Sequence, residues 1–294
     1  MIYPNEPASA YHERPSVSAG LLWDIVKPDG CEALAWFNSP WLNPDHVPVT
    51  DEVMLNGQIA HLAILEPEKM EAQITVIDAR DFRSATAKLL RDEAIATGKI
   101  PILNERDPGS TLPSFQKILG MRKALTNSYA EALLFGNDGN NEISYTFDLG
   151  VPCKCRADRI ILGEKSVILD LKTAVSASPD YFQRAMVNFG HHLRASFYLD
   201  GWASQQEAIT HPIDDYLFVV VQRDPPHLVS IFDLDEHSLT WGERLWQAAL
   251  ERFKQAQENN LWPGFMHGAL PKTMTLPTWA THALADREAA GEFE

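Results

Sequence analysis

The sequence predicts a mixed α/β domain in which a group of antiparallel strands has helices before and after it. Three observations predict it. Strand-length apolar runs separated by turn residues cluster between residues 142 and 172, and again between 216 and 232. Segments of helical periodicity with capping residues flank both clusters. Hydrophobic residues make up 45% of the 294 residues, enough for a sizeable core, and no linker divides the chain. A single domain spanning 1–294 is expected: a mainly helical N-terminal part to residue 135, a core over 138–260, and a tail over 261–294.

The elements follow in order. Ser16 or Ser18 caps a short helix over Leu21–Val26, ended by Pro28. A loop rich in Pro and Asn runs from Pro40 to Pro48. Thr50 or Asp51 opens a helix that Glu66-Pro67 stops after Leu65, with Val53, Ile59, Leu62 and Ala63 as its buried stripe and His61 beside it. A strand over Ala72–Ile77 precedes helices over Phe82–Thr97, Ser114–Asn127 and Ser128–Phe135. Gly136-Asn137-Asp138-Gly139-Asn140 is a turn. Strands follow over Glu142–Phe147, Val151–Leu162 and Val167–Lys172. Pro179 to Gln205 reads as helix with Gly190 as a break point. Tyr216–Gln222 and Leu228–Phe232 form a hairpin, and Glu236–Asn259 a long last helix. The Pro- and Trp-rich tail is expected to wrap the surface.

Composition narrows the function. A net charge of −15 argues against a non-specific basic DNA coat, but leaves room for a local basic channel. No apolar run approaches the roughly 20 residues of a membrane span, so no membrane association is expected. The N-terminus lacks a basic and apolar leader, which makes a cytoplasmic protein the default expectation. Three cysteines supply neither a disulfide framework nor four ligands for an iron–sulfur cluster; Cys153 and Cys155 share a strand face as small buried hydrophobes. No phosphate-binding Gly-rich loop and no Gly-x-Ser-x-Gly occurs, so nucleotide hydrolysis and serine-hydrolase chemistry lack support.

Asp170-Leu171-Lys172 is the chemical focus. It ends the run Val167-Ile168-Leu169, and strand alternation turns Asp170 and Lys172 the same way. Gly163-Glu164-Lys165 can serve as a three-residue hairpin loop. That loop sets Leu162 opposite Ser166 and Asp158 opposite Asp170. Two carboxylates and an ammonium then meet on one patch. Close carboxylates repel unless a cation or proton intervenes, and acidic oxygens beside a Lys suit Mg²⁺ and a phosphate ester. Asp158 and Asp170 are the expected ligands, with the Leu171 carbonyl as a third oxygen. Lys172 would orient or deprotonate a water, or offset charge on phosphorus. Glu142, at a strand start one hairpin from Asp158, is an additional or supporting carboxylate.

Taken together, the chain resembles the RecE type (exonuclease VIII) of the PD-(D/E)XK nuclease superfamily, and more distantly lambda exonuclease and the RecB nuclease domain. The residues that carry the resemblance are Gly57-Gln58-Ile59-Ala60-His61 with Leu65-Glu66-Pro67, then Gly150-Val151-Pro152-Cys153-Lys154-Cys155-Arg156-Ala157-Asp158. Asp170-Leu171-Lys172-Thr173-Ala174, Phe197-Tyr198-Leu199-Asp200-Gly201, Pro263-Gly264 and Leu276-Pro277-Thr278-Trp279 extend it. The resemblance implies a central mixed sheet flanked by helices. It also implies a Mg²⁺-dependent exonuclease, with Mn²⁺ as substitute, that digests linear duplex DNA from 5′ ends and leaves 3′ single strands for phage or prophage recombination. It further implies a homo-oligomeric ring, a trimer or tetramer, around double-stranded DNA, and a single-strand annealing protein as partner. His61 matches the upstream metal-site histidine. Arg14 with Ser18 matches a region that holds a 5′ phosphate, and Arg194 and Tyr198, one helical turn apart, a contact to the scissile strand. Two positions depart from the pattern: Ala157 stands where Pro often precedes the first Asp, and Arg194 stands where Gln is usual. The competing readings are a non-catalytic DNA-binding ring or scaffold on the same fold, and a site-specific endonuclease.

Overall fold

The computed structural model describes residues 1–4, 6–47, 52–106, 114–266 and 271–293. The predicted capping positions Thr50 and Asp51 lie outside these residues, as does the side chain of Val53.

The N-terminal part holds β1 (Ile2–Tyr3), α1 (Ala8–Glu13), α2 (Ala19–Val26), α3 (Glu32–Phe37) and α4 (Glu52–Leu65). Next come α5 (Met70–Gln73), β2 (Ile74–Ile77), α6 (Ala85–Ala96), β3 (Ile100–Leu103), α7 (Phe115–Thr126) and α8 (Glu131–Phe135). The core adds β4 (Gly139–Asp148), β5 (Pro152–Ile161), β6 (Val167–Ala174), α9 (Pro179–Asn188), α10 (His191–Ala203), β7 (Asp215–Gln222), β8 (Val229–Phe232) and α11 (Glu236–Glu258), and α12 (Thr278–Ala289) lies in the tail. The mixed α/β expectation holds. β1, α1, α3, α5, β3 and α12 were not predicted, and Ala72 and Gln73, expected in a strand, close α5; β1 and β3 depend on partners far away in sequence, and α1, α3 and α5 are no longer than six residues.

The main sheet has the order β1-β4-β5-β6-β7-β8, antiparallel except for the β6–β7 pair. Alternation along β6 sends Val167, Leu169 and Leu171 into one core with α4 and α7, and Ile168 into the other with α2, α10 and α11. β2 and β3 form a separate parallel pair joined by α6.

The predicted hairpin register is present. Ile161 pairs with Val167, Ile160 with Ile168 and Arg159 with Leu169, which sets Asp158 opposite Asp170. The β5–β6 ladder ends there. β5 continues toward its start paired with β4 and, on its other edge, bridged only by Val17 at Cys153, and β6 continues toward its end paired only with β7. The sheet therefore forks, and the two aspartates are the first residues past the last shared rung.

β4 and β5 also change sides at this point. Ile143 and Ala157 belong to the α10 core, whereas Asn141 donates to the Leu65 carbonyl of α4 and Arg159 donates to the Leu133 carbonyl at 2.8 Å on the opposite side. The ladder passes from Asn141↔Arg159 to Ile143↔Ala157 without a Glu142–Asp158 rung. Glu142 takes φ 53°, the left-handed region that non-glycine residues rarely enter. Strained backbone of this kind persists only where its surroundings hold it, and it clusters at functional sites.

The helix over 179–205 breaks at Gly190. Its φ is 66°, and a Cβ there would meet the Trp23 ring at 2.5 Å, so no larger residue fits. Cys153 and Cys155 are buried in the α10 core as expected. The start of the tail docks on the body, with Trp262 against Phe253 and the Pro263 carbonyl accepting the Ala33 N–H, whereas α12 has no buried residue and Met274, Leu276 and Trp279 are exposed.

Candidate metal centre

Helix α4 brings His61 over the fork from the Leu171 side of the sheet. Its Nε2 lies 2.9 Å from the Leu171 carbonyl oxygen, and its Nδ1 lies 3.6 Å from Asp158 Oδ1. His61, Glu142 and Asp158 each bring one donor atom to within 4.8 Å of the others. A small cation holding two adjacent octahedral ligands at 2.0–2.1 Å separates them by roughly 3 Å, close to the spacing between Nε2 and the carbonyl. One imidazole and two carboxylates thus form a group that could hold a divalent metal ion, with the Leu171 carbonyl beside the imidazole.

Asp158 does a second job. Its Oδ2 accepts the Leu171 N–H at 2.7 Å, a backbone group left unpaired by the end of the β5–β6 ladder. Burial raises the Asp158 carboxyl above the usual range; His61 offsets this in part, and the Asp170 charge adds to it. Burial likewise raises Glu142, with Asp158 adding to the rise and Arg156 opposing it. Two acidic groups raised this way, only partly offset by Arg156 and His61, are the condition that a cation relieves.

Asp170 is built differently. Lys172 pairs with its Oδ1, as the alternation predicts, and Tyr216 donates its hydroxyl to Oδ2 at 3.0 Å. Burial alone would raise its carboxyl, but the Lys172 ammonium and Arg194 guanidinium outweigh that and hold it well below the ordinary carboxylate range. Asp170 stands outside the group of His61, Glu142 and Asp158. Asp158, Asp170 and Lys172 lie near one another, since the Asp170 and Lys172 charges both act on Asp158, but the two carboxylates turn to different partners. Asp170 lies on the α10 side, because alternation along β6 puts it opposite Leu169 and Leu171, and the side change at Asp158 turns that residue toward α4.

A cleft of about 750 Å³ opens beside the fork, and Ser18, Lys154, Arg156, Arg194 and Tyr198 line it. Three of the predicted DNA-contacting residues thus share one cavity. Arg14 does not join them. Its guanidinium pairs with Glu6 and packs 4.2 Å from the centre of the Tyr3 ring, so its charge is already balanced. Ser18 also caps α2, accepting the Leu21 N–H at 3.4 Å.

Sequence reading missed three residues here. Arg156 donates from Nε to Glu142 at 2.6 Å. Tyr216 holds Asp170. The buried His191, at the start of α10, is pushed down to about 3 by burial and by Lys172 nearby, so it stands as a neutral imidazole beside the Lys172–Asp170 pair. The alternation of β5 hinted at Arg156 alone, since it lies two residues before Asp158.

The mixed sheet flanked by helices, with its acidic residues and lysine at the fork, is the fold of a PD-(D/E)XK-like nuclease. The chain belongs to the family described as a PDDEXK-like domain of unknown function (DUF3799), whose model matches residues 25–268. Among solved structures it is similar to a Eubacterium rectale protein described as a candidate exonuclease. That match has a TM-score of 0.58 and 12% identity over 91% of this chain and 92% of that one, and it shows a shared fold. A weaker match, to the crystal structure of SSO0001, covers 54% of this chain and 72% of that one at 20% identity and a TM-score of 0.27. No curated protein matches the sequence. Among the described residues no helix is long and apolar enough to cross a membrane.

Proposed function

We propose that the protein is a metal-dependent exonuclease that degrades linear double-stranded DNA from 5′ ends and leaves 3′ single strands for recombination of the phage or prophage type. The observation that carries the reading is the fork itself. It brings donor atoms of His61, Glu142 and Asp158 together, with the Leu171 carbonyl against His61 and the Lys172–Asp170 pair nearby.

A divalent cation bound by these donors, Mg²⁺ or in its place Mn²⁺, supplies Lewis acidity toward a phosphodiester and toward the attacking water. The chain supplies the rest. His61 and Asp158 fix the cation's position, and the Leu171 N–H fixes Asp158. Lys172, held by Asp170, is placed to meet negative charge developing on phosphorus. Arg194, lining the cleft, presents donors to the scissile strand, and Tyr198 beside it shapes the wall. A homo-oligomeric ring around DNA and a single-strand annealing protein as partner complete the proposal.

The test is digestion of end-labelled linear duplex beside closed circular duplex, with Mg²⁺ and with EDTA. Loss of the linear substrate from its 5′ ends, in Mg²⁺ only, supports the reading. Cutting of the closed circle points to an endonuclease, and binding without cutting points to a scaffold.

A further inference from the structure

Arg156 touches both the ligand group and the cleft. It stands two residues before Asp158 on β5, and its side chain is 12% exposed. Nε donates to Glu142 Oε2 at 2.6 Å. Nη1 donates to Ser144 Oγ at 3.1 Å and to the Glu6 carbonyl at 2.8 Å. Nη2 has no protein partner among the described residues and is not sealed from solvent, and Arg156 lines the cleft. Glu142 in turn sits on strained backbone, and Arg156 is the side chain that fixes its carboxylate. A planar guanidinium can hold a carboxylate along one edge and offer the other edge to a phosphate.

We propose that Arg156 is a positioning residue joining the two halves of the site: one edge holds Glu142 toward His61 and Asp158, and Nη2 takes a DNA phosphate oxygen in the cleft. The proposal rests on the metal-dependent DNA reading. It makes cation and DNA binding mutually reinforcing, because both act on one guanidinium. A lysine cannot replace it, since a single ammonium cannot face Glu142, Ser144 and a phosphate together.

The experiment measures Mn²⁺ affinity by calorimetry without DNA, and affinity for a linear duplex by fluorescence anisotropy in Ca²⁺. Arg156→Lys should weaken Mn²⁺ binding by about tenfold, the usual effect of removing a group that orients a ligand. Glu142→Gln should weaken Mn²⁺ binding too. In the Glu142→Gln background, Arg156→Lys should cost no further Mn²⁺ affinity and should still weaken DNA binding. Unchanged Mn²⁺ affinity in Arg156→Lys, or losses that add in the double variant, overturns the proposal. Asp158→Asn run in parallel separates the failures. If Asp158→Asn loses Mn²⁺ while Arg156→Lys does not, only the role of Arg156 falls. If Asp158→Asn binds Mn²⁺ like the parent, the cation site falls and this proposal with it. Arg156→Gln, which keeps a donor, serves if Arg156→Lys does not fold.

Discussion

The two arms of the fork carry the same residue type in opposite states. On β6, Asp170 has both oxygens engaged, by Lys172 and by the Tyr216 hydroxyl, and its carboxyl is held well below the ordinary range. On β5, Asp158 faces His61 and Glu142, and burial raises its carboxyl. Asp170 is held by a full cation and a hydroxyl, whereas Asp158 has a backbone N–H, a histidine and a second carboxylate around it. The difference teaches that nearness of two carboxylates does not make them equivalent ligands. The charges around each one decide which holds a lysine in place and which waits for a cation.

The comparison can be broken most sharply by neutralising each arm. Asp158→Asn should lower DNA degradation by about 10³-fold or more, and should abolish Mn²⁺ binding in calorimetry. The same change should stabilise the metal-free fold by about 1 kcal/mol in urea unfolding, because it removes a charge that burial and Asp170 together disfavour. Asp170→Asn should instead destabilise by about 3 kcal/mol, because it leaves the Lys172 ammonium without its partner. Equal stability effects in the two variants would erase the distinction.

pH should sharpen it. A raised carboxyl costs stability as pH rises above its unfolded range, so the advantage of Asp158→Asn should grow between pH 4 and 7. A lowered carboxyl contributes stability that is complete above its unfolded range and is lost only as pH falls through the folded value. The deficit of Asp170→Asn should therefore stay flat over the same interval and shrink only at more acid pH. Urea midpoints of parent and variants across this range read both trends.

Smaller effects test the supports. Tyr216→Phe removes the hydrogen bond to Asp170 and should cost about 1 kcal/mol in the same unfolding assay. Arg14→Ala should change degradation of 5′-phosphorylated ends by less than about fivefold, roughly 1 kcal/mol, because its guanidinium is engaged by Glu6 away from the cleft. A large, phosphate-specific loss in that variant would return Arg14 to the DNA path.

The hairpin register was legible because it depends on local chemistry: a short loop and alternating apolar positions fix Asp158 against Asp170, although the connection runs from Leu162 to Ser166 rather than over three residues. The pairing of Lys172 with Asp170 followed from the same alternation. The side change at Glu142 and Asp158 was not legible. It depends on one residue adopting a left-handed backbone that nothing in Asn141-Glu142-Ile143 announces, and it moves Asp158 to the α4 side. Arg156 escaped notice for a related reason: its partners Glu142, Ser144 and Glu6 lie on other segments that only the fold brings together. His61 came from resemblance, since a histidine beside an apolar stripe carries no mark of its own. The tail divides the aromatic cue: Trp262 packs against Phe253, while Trp279 on α12 stays exposed, and sequence alone does not separate the two.

The most direct test of the central claim is the anomalous scattering of crystals soaked in Mn²⁺. The account predicts one peak in the fork, within bonding distance of His61 Nε2, Asp158 and the Leu171 carbonyl. A peak elsewhere, or none at saturating Mn²⁺, would contradict it.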